Sequence, residues 1–374
     1  MSNVRLSLLL ICLPSVLAAQ DQSPCSHGSF DFPVPGYGIS VGNSARHSGV
    51  RFNWSDDCLE EVNGLNFTLW VPGERMSGTL NGFALGLGAV GADEVNGLAF
   101  GLGGVFGGRS LNGVMIGGLA VIGNGDASGI TFSGVGTVVN GDLTGFNFGG
   151  LGCVSEGRMT GISIGPLGLV GEKSVTGINL GGLGAVSGLD FTGINFGGLG
   201  LVSGGGLLGV NIAGLALVGK DRVAGLSIGG LAAVSGGSLN GLTISGLAAV
   251  AGGSVTGLTV AGAAIVSKNE IAGMSITLGA VESMMSVSGL TIAGFRTKTD
   301  VVSGIDLNVV TTQVQRSQGI ITGIYNRVYD TQRGFSIGIF NHADNLYGVQ
   351  IGIVNYAENN PDGLKILPLL NAHF

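Results

Sequence analysis

Charged residues, proline and aromatic residues are all scarce in this sequence. Lys, Arg, Asp and Glu make up only 10% of the 374 residues and the net charge is −7, so no basic surface for nucleic acid is expected. There are 8 prolines and no Gly-X-Y triplet, which excludes collagen despite 74 glycines. The 45% of hydrophobic residues exceeds what a disordered glycine-rich linker carries. The chain can therefore bury a core, but a thin one.

Motifs that support catalysis or metal binding are also missing. The sequence has no CxxC or Cys/His metal spacing, no HExxH, no serine nucleophile elbow and no glycine-aspartate calcium repeat. Gly86-Leu-Gly88-Ala-Val-Gly91 matches the dinucleotide fingerprint by letter, but another repeat unit follows it instead of the helix that the fingerprint requires. We therefore expect no enzyme, no catalytic residue, no cofactor and no metal site.

Residues 1–19 have the pattern of a secretory signal peptide, with Arg5 before an apolar run and small residues at its end. Export permits disulfides, and Cys25 and Cys58 are candidate partners because both lie in the irregular N-terminal part. Cys153 occupies a repeat position that elsewhere holds Leu or Ala, so it is expected to be a small buried side chain.

A glycine followed by an apolar residue returns every sixteen positions. The repeat glycines are Gly97, Gly113, Gly129, Gly145, Gly161, Gly177, Gly193, Gly209, Gly225, Gly241, Gly257, Gly273 and Gly289. A fixed period of this length is typical of a chain built from stacked equivalent units. Below, each unit is numbered from its repeat glycine as position zero.

The unit predicts a coil of short strands. Apolar residues at +1 and +3 enclose a small polar one, as in Gly177-Ile178-Asn179-Leu180, and we expect the two apolar side chains to face inward. Positions −2, +6 and +8 are apolar as well and are expected to face inward. Because +1 and +3 are odd whereas +6 and +8 are even, the small pair near +4 predicts a bend at which the inward-facing positions change from odd to even. Nearly every charge between Gly97 and Gly289 lies at +11 to +13. One charged edge favours parallel stacking, so the predicted fold is all-β, a β-solenoid with 14–16 residues per coil.

Position +2 carries Asn, Ser or Thr in successive units. If +1 and +3 face inward, this column forms an exposed polar stripe that is either a solvated sheet face or an interaction surface. Its members are Asn147, Ser163, Asn179, Asn195, Asn211, Ser227, Thr243 and Thr259.

The sequence divides into four parts. The signal peptide (1–19) is followed by an irregular cap with imperfect first coils (20–80), by the sixteen-residue repeats (81–303) and by fourteen- and fifteen-residue repeats (304–374). In this last part Asn326, Asn341, Asn355 and Asn371 take matching places in successive units, which predicts a structural ladder of side-chain hydrogen bonds.

Two of these units read Gly334-Phe-Ser-Ile-Gly-Ile-Phe-Asn341 and Gly348-Val-Gln-Ile-Gly-Ile-Val-Asn355. With the ending from Gly363 to Phe374, they resemble bacterial glycine-rich surface-repeat proteins, whose units read close to G-L-Q-I-G-L-I-N. The resemblance is sharpest over 304–374 and looser over 64–303, where the Asn is missing and the unit is one residue longer. It implies a location in the cell envelope, and it implies no activity.

We therefore expect a non-enzymatic, exported repeat protein that acts as a scaffold or as an adhesion or interaction module. Its partner would be a protein or a glycan at the cell surface or outer membrane, and a secreted protein is the alternative location. Glycan or ice contact through the polar stripe is a further hypothesis.

An outer-membrane antiparallel β-barrel, a pore or an anchor, is the alternative fold. Alternate residues along one stretch are all apolar and could face lipid, namely Leu242, Ile244, Gly246, Ala248 and Val250. The chain also ends in Phe. Against this alternative, barrels alternate short and long loops with a two-strand period, whereas all loops here have similar length. Membrane contact is expected only for this alternative.

Overall fold

The computed structural model describes residues 28–73 and 76–374, and this part of the protein is all-β. The predicted signal peptide and Cys25 lie outside the described residues. The strands are β1 (Ser29–Val34), β2 (Tyr37–Gly42), β3 (Arg46–Asn53), β4 (Glu61–Thr68), β5 (Thr79–Gly86), β6 (Ala89–Gly101), β7 (Gly104–Gly117), β8 (Ala120–Gly123), β9 (Asp126–Ser133), β10 (Gly136–Val139), β11 (Leu143–Gly149), β12 (Gly152–Ser155), β13 (Met159–Gly165), β14 (Gly168–Gly171), β15 (Val175–Gly181), β16 (Gly184–Ser187), β17 (Phe191–Gly197), β18 (Gly200–Ser203), β19 (Leu207–Ala213), β20 (Ala216–Gly219), β21 (Arg222–Gly229), β22 (Ala232–Ser235), β23 (Ser238–Ser245), β24 (Ala248–Ala251), β25 (Val255–Ala261), β26 (Ala264–Ser267), β27 (Glu270–Thr277), β28 (Ala280–Ser283), β29 (Ser286–Ala293), β30 (Arg296–Asn308), β31 (Thr311–Ala357) and β32 (Ile366–His373).

Each coil of the repeat region contributes one long and one short strand. The long strand β15 pairs in parallel with β13 and β17, so that Gly177 lies between Gly161 and Gly193. The short strand β16 pairs in parallel with β14 and β18 in the same way. Every coil therefore lies on the previous one in the same orientation, and about 17 turns form a β-solenoid. The predicted solenoid is confirmed, and the antiparallel barrel is wrong.

The two ends of the stack differ from its middle. β1 pairs antiparallel with β2, and β32 pairs antiparallel with β31, so an antiparallel strand lies at each end. Parallel pairing already begins at β2 and β3, where Gly38 lies beside Gly49. The coils thus start well before residue 81, inside the part that the sequence marked as an irregular cap. Among the described residues, no helix is long and apolar enough to span a membrane.

The inward positions of a coil are −2, +2, +4, +8 and +10. In β15 and β16 these are Val175, Asn179, Gly181, Ala185 and Ser187, and all five are buried. The predicted columns −2 and +8 are therefore confirmed as core. The predicted inward direction of +1 and +3 is wrong, and so is the predicted change of parity, because even positions face inward in the strands on both sides of the bend. The predicted inward direction of +6 is wrong as well, because Leu183 at the bend itself points outward and is 51% exposed.

The narrow interior explains this arrangement. A Cβ at Gly181 would lie only 2.2 Å from the carbonyl oxygen of Gly184, because the long and short strands approach each other closely next to the bend. Large side chains are fully buried farther from the bend, at position −2 in Phe191 and Leu207 and at position +8 in Leu169 and Leu201. The bend itself lies at Gly182 and Leu183, as the small pair predicts.

Cys153 is fully buried at position +8, as its repeat position predicts. Desolvation by burial raises the pKa of its thiol to about 11. Cys58 is disulfide-bonded. Because Cys25 lies outside the described residues, the pairing of Cys25 with Cys58 stays a prediction.

Candidate functional site

The polar column at +2, expected on the surface, lies inside the solenoid. Its members are at most 1% exposed: Asn147, Ser163, Asn179, Asn195, Asn211, Ser227, Thr243 and Thr259. The expectation of an exposed stripe is therefore wrong, because strand alternation places +2 on the same side as the core position −2. Glycan or ice contact through these residues is excluded by their burial.

The inner column bonds to itself along the solenoid axis. The side-chain amide of Asn179 donates to the Oδ1 atom of Asn195, and Asn195 donates to Oδ1 of Asn211, both at 2.9 Å. Ser163 and Ser227 lie at the two ends of this run, and their hydroxyl groups have no hydrogen-bond partner. The amide side chains of adjacent coils therefore bond to one another across the spacing between strands, whereas these two hydroxyl groups do not bond to the neighbouring asparagine. The column is therefore structural.

Two charged residues occupy the same +2 column and were missed in the sequence. The first is Arg51, two positions after Gly49, whose guanidinium donates to Asp56 at 2.7 Å and to Asn66 at 2.8 Å. The side chains of Arg51 and Asp56 are both fully buried. Recognising Gly49 as a repeat glycine would have placed Arg51 in the +2 column, but the outward direction expected for that column would still have put it on the surface.

The second is Asp306, two positions after Gly304 and fully buried. Thr297 donates to its carboxylate at 2.9 Å, Asn308 at 2.7 Å and Thr312 at 3.2 Å. Desolvation by burial raises the pKa of this carboxyl to about 6, although the three hydrogen bonds act in the opposite direction. Both charged residues are enclosed in the solenoid, so neither is accessible to a ligand.

The asparagine ladder of the last coils forms in three of its four members. Asn326 donates to Asn341, and Asn341 donates to Asn355, each at 2.8 Å. Asn371 lies on an antiparallel strand, where it accepts a hydrogen bond from Asn360 at 2.7 Å and donates to the main-chain oxygen of Asn355. All four predicted residues are buried, which agrees with a structural role.

A polar column does reach the surface, one position before the repeat glycine. Asn81, Asn96 and Asn112 each donate to the previous asparagine of the column, starting from Asn63, at 2.8–2.9 Å. Ser128 continues the column with a bond of 2.7 Å to Asn112. This column lies on the surface at the border of the outer face of the long strands.

The outer face of the long strands is apolar along the length of the solenoid. We define the apolar face as the side chains at +1 and +3 from the coil of Gly49 to that of Gly304. In the central coils many of these side chains are more than one third exposed: Ile130, Phe132, Phe146, Ile162, Ile178, Ile194, Phe196, Ile244 and Leu258. A column of leucines at the bend, including Leu167, Leu183 and Leu199, is 51% exposed and borders the face on the side away from the polar column.

Aromatic residues concentrate at the N-terminal end of the apolar face. Phe52 and Phe67 stack with ring centroids 5.0 Å apart, and next to them Trp54 and Trp70 stack at 6.1 Å. A groove of about 460 Å³ runs here between Phe52, Trp54 and Leu87. Its lining is almost entirely apolar, so the groove extends the apolar face at its N-terminal end.

A second cleft, of about 490 Å³, lies near the C-terminal end, and Glu282, Lys298, Asp300 and Tyr329 line it. Its Glu282 carboxylate is already paired with Arg296. In the described part of the chain, no group of three or more His, Cys, Asp or Glu residues is placed to hold a metal ion. The apolar face is therefore the candidate functional site.

Comparison of the chain with protein-family models, with curated proteins and with solved structures finds no match.

Proposed function

We propose that the protein is a non-enzymatic, exported scaffold that acts at the cell surface or outer membrane through its apolar face. The observation that carries the proposal is the row of exposed Ile, Leu and Phe side chains on the outside of the long strands. Soluble monomers rarely expose contiguous apolar patches larger than a few hundred Å². A face of this size needs a covering partner, so association is its most direct use.

The distribution of polar groups supports a structural role. The charged residues inside the coils, Arg51 and Asp306, are buried and hydrogen-bonded to neighbouring side chains. Nearly all surface charges between Gly97 and Gly289 lie on the loop edge at +11 to +13, and Glu282 on a short strand is the exception. The export that the first residues predict, and the resemblance of residues 304–374 to surface-repeat proteins, favour an envelope location.

The experiment compares two charged double variants in cells that export the chain. Ile162→Lys/Ile194→Lys places two charges on the apolar face, where the wild-type side chains are 36% and 48% exposed. Thr160→Lys/Thr192→Lys places the same charges on the same two strands, at exposed positions outside that face. We expect antibodies to label the wild-type chain on intact cells.

The readout is the share of the chain that stays with the envelope fraction. The wild type and the threonine variant should remain with the envelope, whereas the isoleucine variant should be released into the medium. Equal retention of both variants, or a wild-type chain that stays in the cytoplasm, would refute the proposal.

A further inference from the structure

The apolar face repeats at a fixed spacing, covers a large area and carries no charge. These three properties suit contact with the same face of a second copy of this chain. We propose that two copies of this chain pack their apolar faces against each other and form a sandwich of two solenoids. This inference rests on the proposed function and names the partner that covers the face.

The first argument is the matching period of the two surfaces. Stacked strands lie about 4.8 Å apart, so the side chains of the face form ridges with this spacing along the whole stack. A second copy has the same spacing, so its ridges can enter the grooves of this one where the two stacks lie side by side. This period is general to stacked β-strands, so it favours a partner with a stacked β-sheet, and a second copy is such a partner. Sheets that pack face to face lie about 10 Å apart, which leaves room for one interdigitated layer of Ile, Leu and Phe.

The second argument is area. About 17 turns give the face a length of roughly 80 Å at the strand spacing above. Its width, from position +1 to the leucine column at +6, is about five residues or roughly 15 Å. Each copy could therefore cover on the order of 1,200 Å², compared with about 800 Å² per partner in a standard stable complex. The face is large enough for a permanent dimer.

The third argument is the absence of charge. Positions +1 and +3 carry no charged residue in any coil from Gly49 to Gly304, so two copies meet without like-charge repulsion. The short strands are less suitable, because their outer side has a single valine column that ends where Glu282 takes its place beside Val266. The long-strand face is thus the one that a second copy fits.

A lipid surface fits the face less well. Proteins that lie in a membrane interface usually carry Lys or Arg beside the apolar side chains and Trp or Tyr at the boundary. Here the bordering column contains uncharged residues such as Asn96, Ser128 and Thr176. The two tryptophans, Trp54 and Trp70, are confined to one end of the solenoid and form no belt along it.

Sedimentation equilibrium of the purified exported chain tests the proposal in detergent-free buffer. The wild type and Thr160→Lys/Thr192→Lys should sediment as dimers at micromolar concentration. Ile162→Lys/Ile194→Lys should sediment as a monomer with the far-UV circular dichroism of the wild type. Because each dimer loses four buried isoleucines, we expect its dissociation constant to rise at least about 100-fold.

A milder variant covers the case in which the lysine variant does not fold. Ile162→Thr/Ile194→Thr introduces a residue that the outward position of Thr322 already tolerates, and it should still raise the dissociation constant measurably. A monomeric wild type, or a dimer that neither isoleucine variant weakens, overturns the proposal.

Two further outcomes separate this proposal from the proposed function. A monomeric wild type that floats with phosphatidylcholine vesicles shows that lipid covers the face, which overturns the dimer. A monomeric wild type that still needs Ile162 and Ile194 for envelope retention points to a different protein partner. In that case the scaffold function stands and the dimer alone fails.

Discussion

Replacing Gly177 with alanine should disrupt the solenoid at one coil. The backbone φ of Gly177 is 118°, a conformation that residues with a side chain rarely adopt. All thirteen sixteen-residue repeat glycines share this conformation, with φ between 98° and 118°. A Cβ at Gly177 would lie 2.0 Å from the carbonyl oxygen of Gly161 in the previous coil. The position therefore excludes alanine both by conformation and by space.

The magnitude follows from these two terms. A non-glycine residue in such a region costs about 1–3 kcal/mol. Relieving the contact requires a shift of about 1 Å between two coils, which weakens two or three inter-coil hydrogen bonds at about 1 kcal/mol each. We expect a total loss of about 3–6 kcal/mol in the free energy of local unfolding.

Gly168→Ala is the matched control. The nearest atom to a Cβ at Gly168 is the carbonyl oxygen of Gly184 at 4.0 Å, and its φ is not in the left-handed region. Later coils carry alanine at this position, including Ala216 and Ala232. The control should change stability by less than about 1 kcal/mol, with a gain expected from the stiffer unfolded chain.

The assay must resolve single coils, because repeat proteins can unfold locally. Hydrogen exchange of peptides covering β13, β15 and β17 should show faster exchange in Gly177→Ala than in the wild type, and no change in Gly168→Ala. Equal protection in the two variants would contradict the reasoning, because it would mean that the repeat glycines are not required by the stacking.

Three further predictions concern the buried polar groups. Burial raises the pKa of Asp306 from its ordinary value of 3.8 to about 6, so folding favours its protonated form. The stability that this protonated carboxyl contributes is fully present below about pH 3.8 and is lost as the pH rises through 6. Measured by denaturant unfolding, the free energy of unfolding of the wild type should fall by about 2 kcal/mol more between pH 4.5 and 7.5 than that of Asp306→Asn, and an equal pH dependence of the two chains would contradict this. Arg51→Met leaves the carboxylate of Asp56 buried without its cation and should lower the free energy of unfolding by about 3–5 kcal/mol. Denaturant unfolding monitored by the fluorescence of the nearby tryptophans measures this loss. The control Arg46→Met breaks an exposed pair with Glu60 and should cost less than about 1 kcal/mol, so equal losses would refute the role of burial. Cys153, with its pKa of about 11, should resist a thiol reagent at pH 8 until the chain is unfolded, and rapid labelling of the folded chain would contradict its burial.

Most of the architecture could be read from the spacing of residues. The sixteen-residue period and the single charged edge led to parallel coils, and positions −2 and +8 were correctly assigned to the core. The asparagine ladder of the last coils followed from matching places in successive units. Asn371 could not be assigned in this way, because only the structure shows that its strand turns back antiparallel to β31.

The inward or outward direction of each column was decided by the tertiary structure. Period-two alternation in Gly177-Ile178-Asn179-Leu180 defines two faces, but it does not say which of them is buried. Hydrophobicity favours Ile178 and Leu180, and in the structure Asn179 is inside. The reason is the space beside the bend: the backbone at Gly184 comes so close to Gly181 that position +4 admits only small residues, and these fill the inside of the coil there. Strand alternation then places Asn179 at +2 on the same inner side, and Ile178 and Leu180 remain outside as a surface for association.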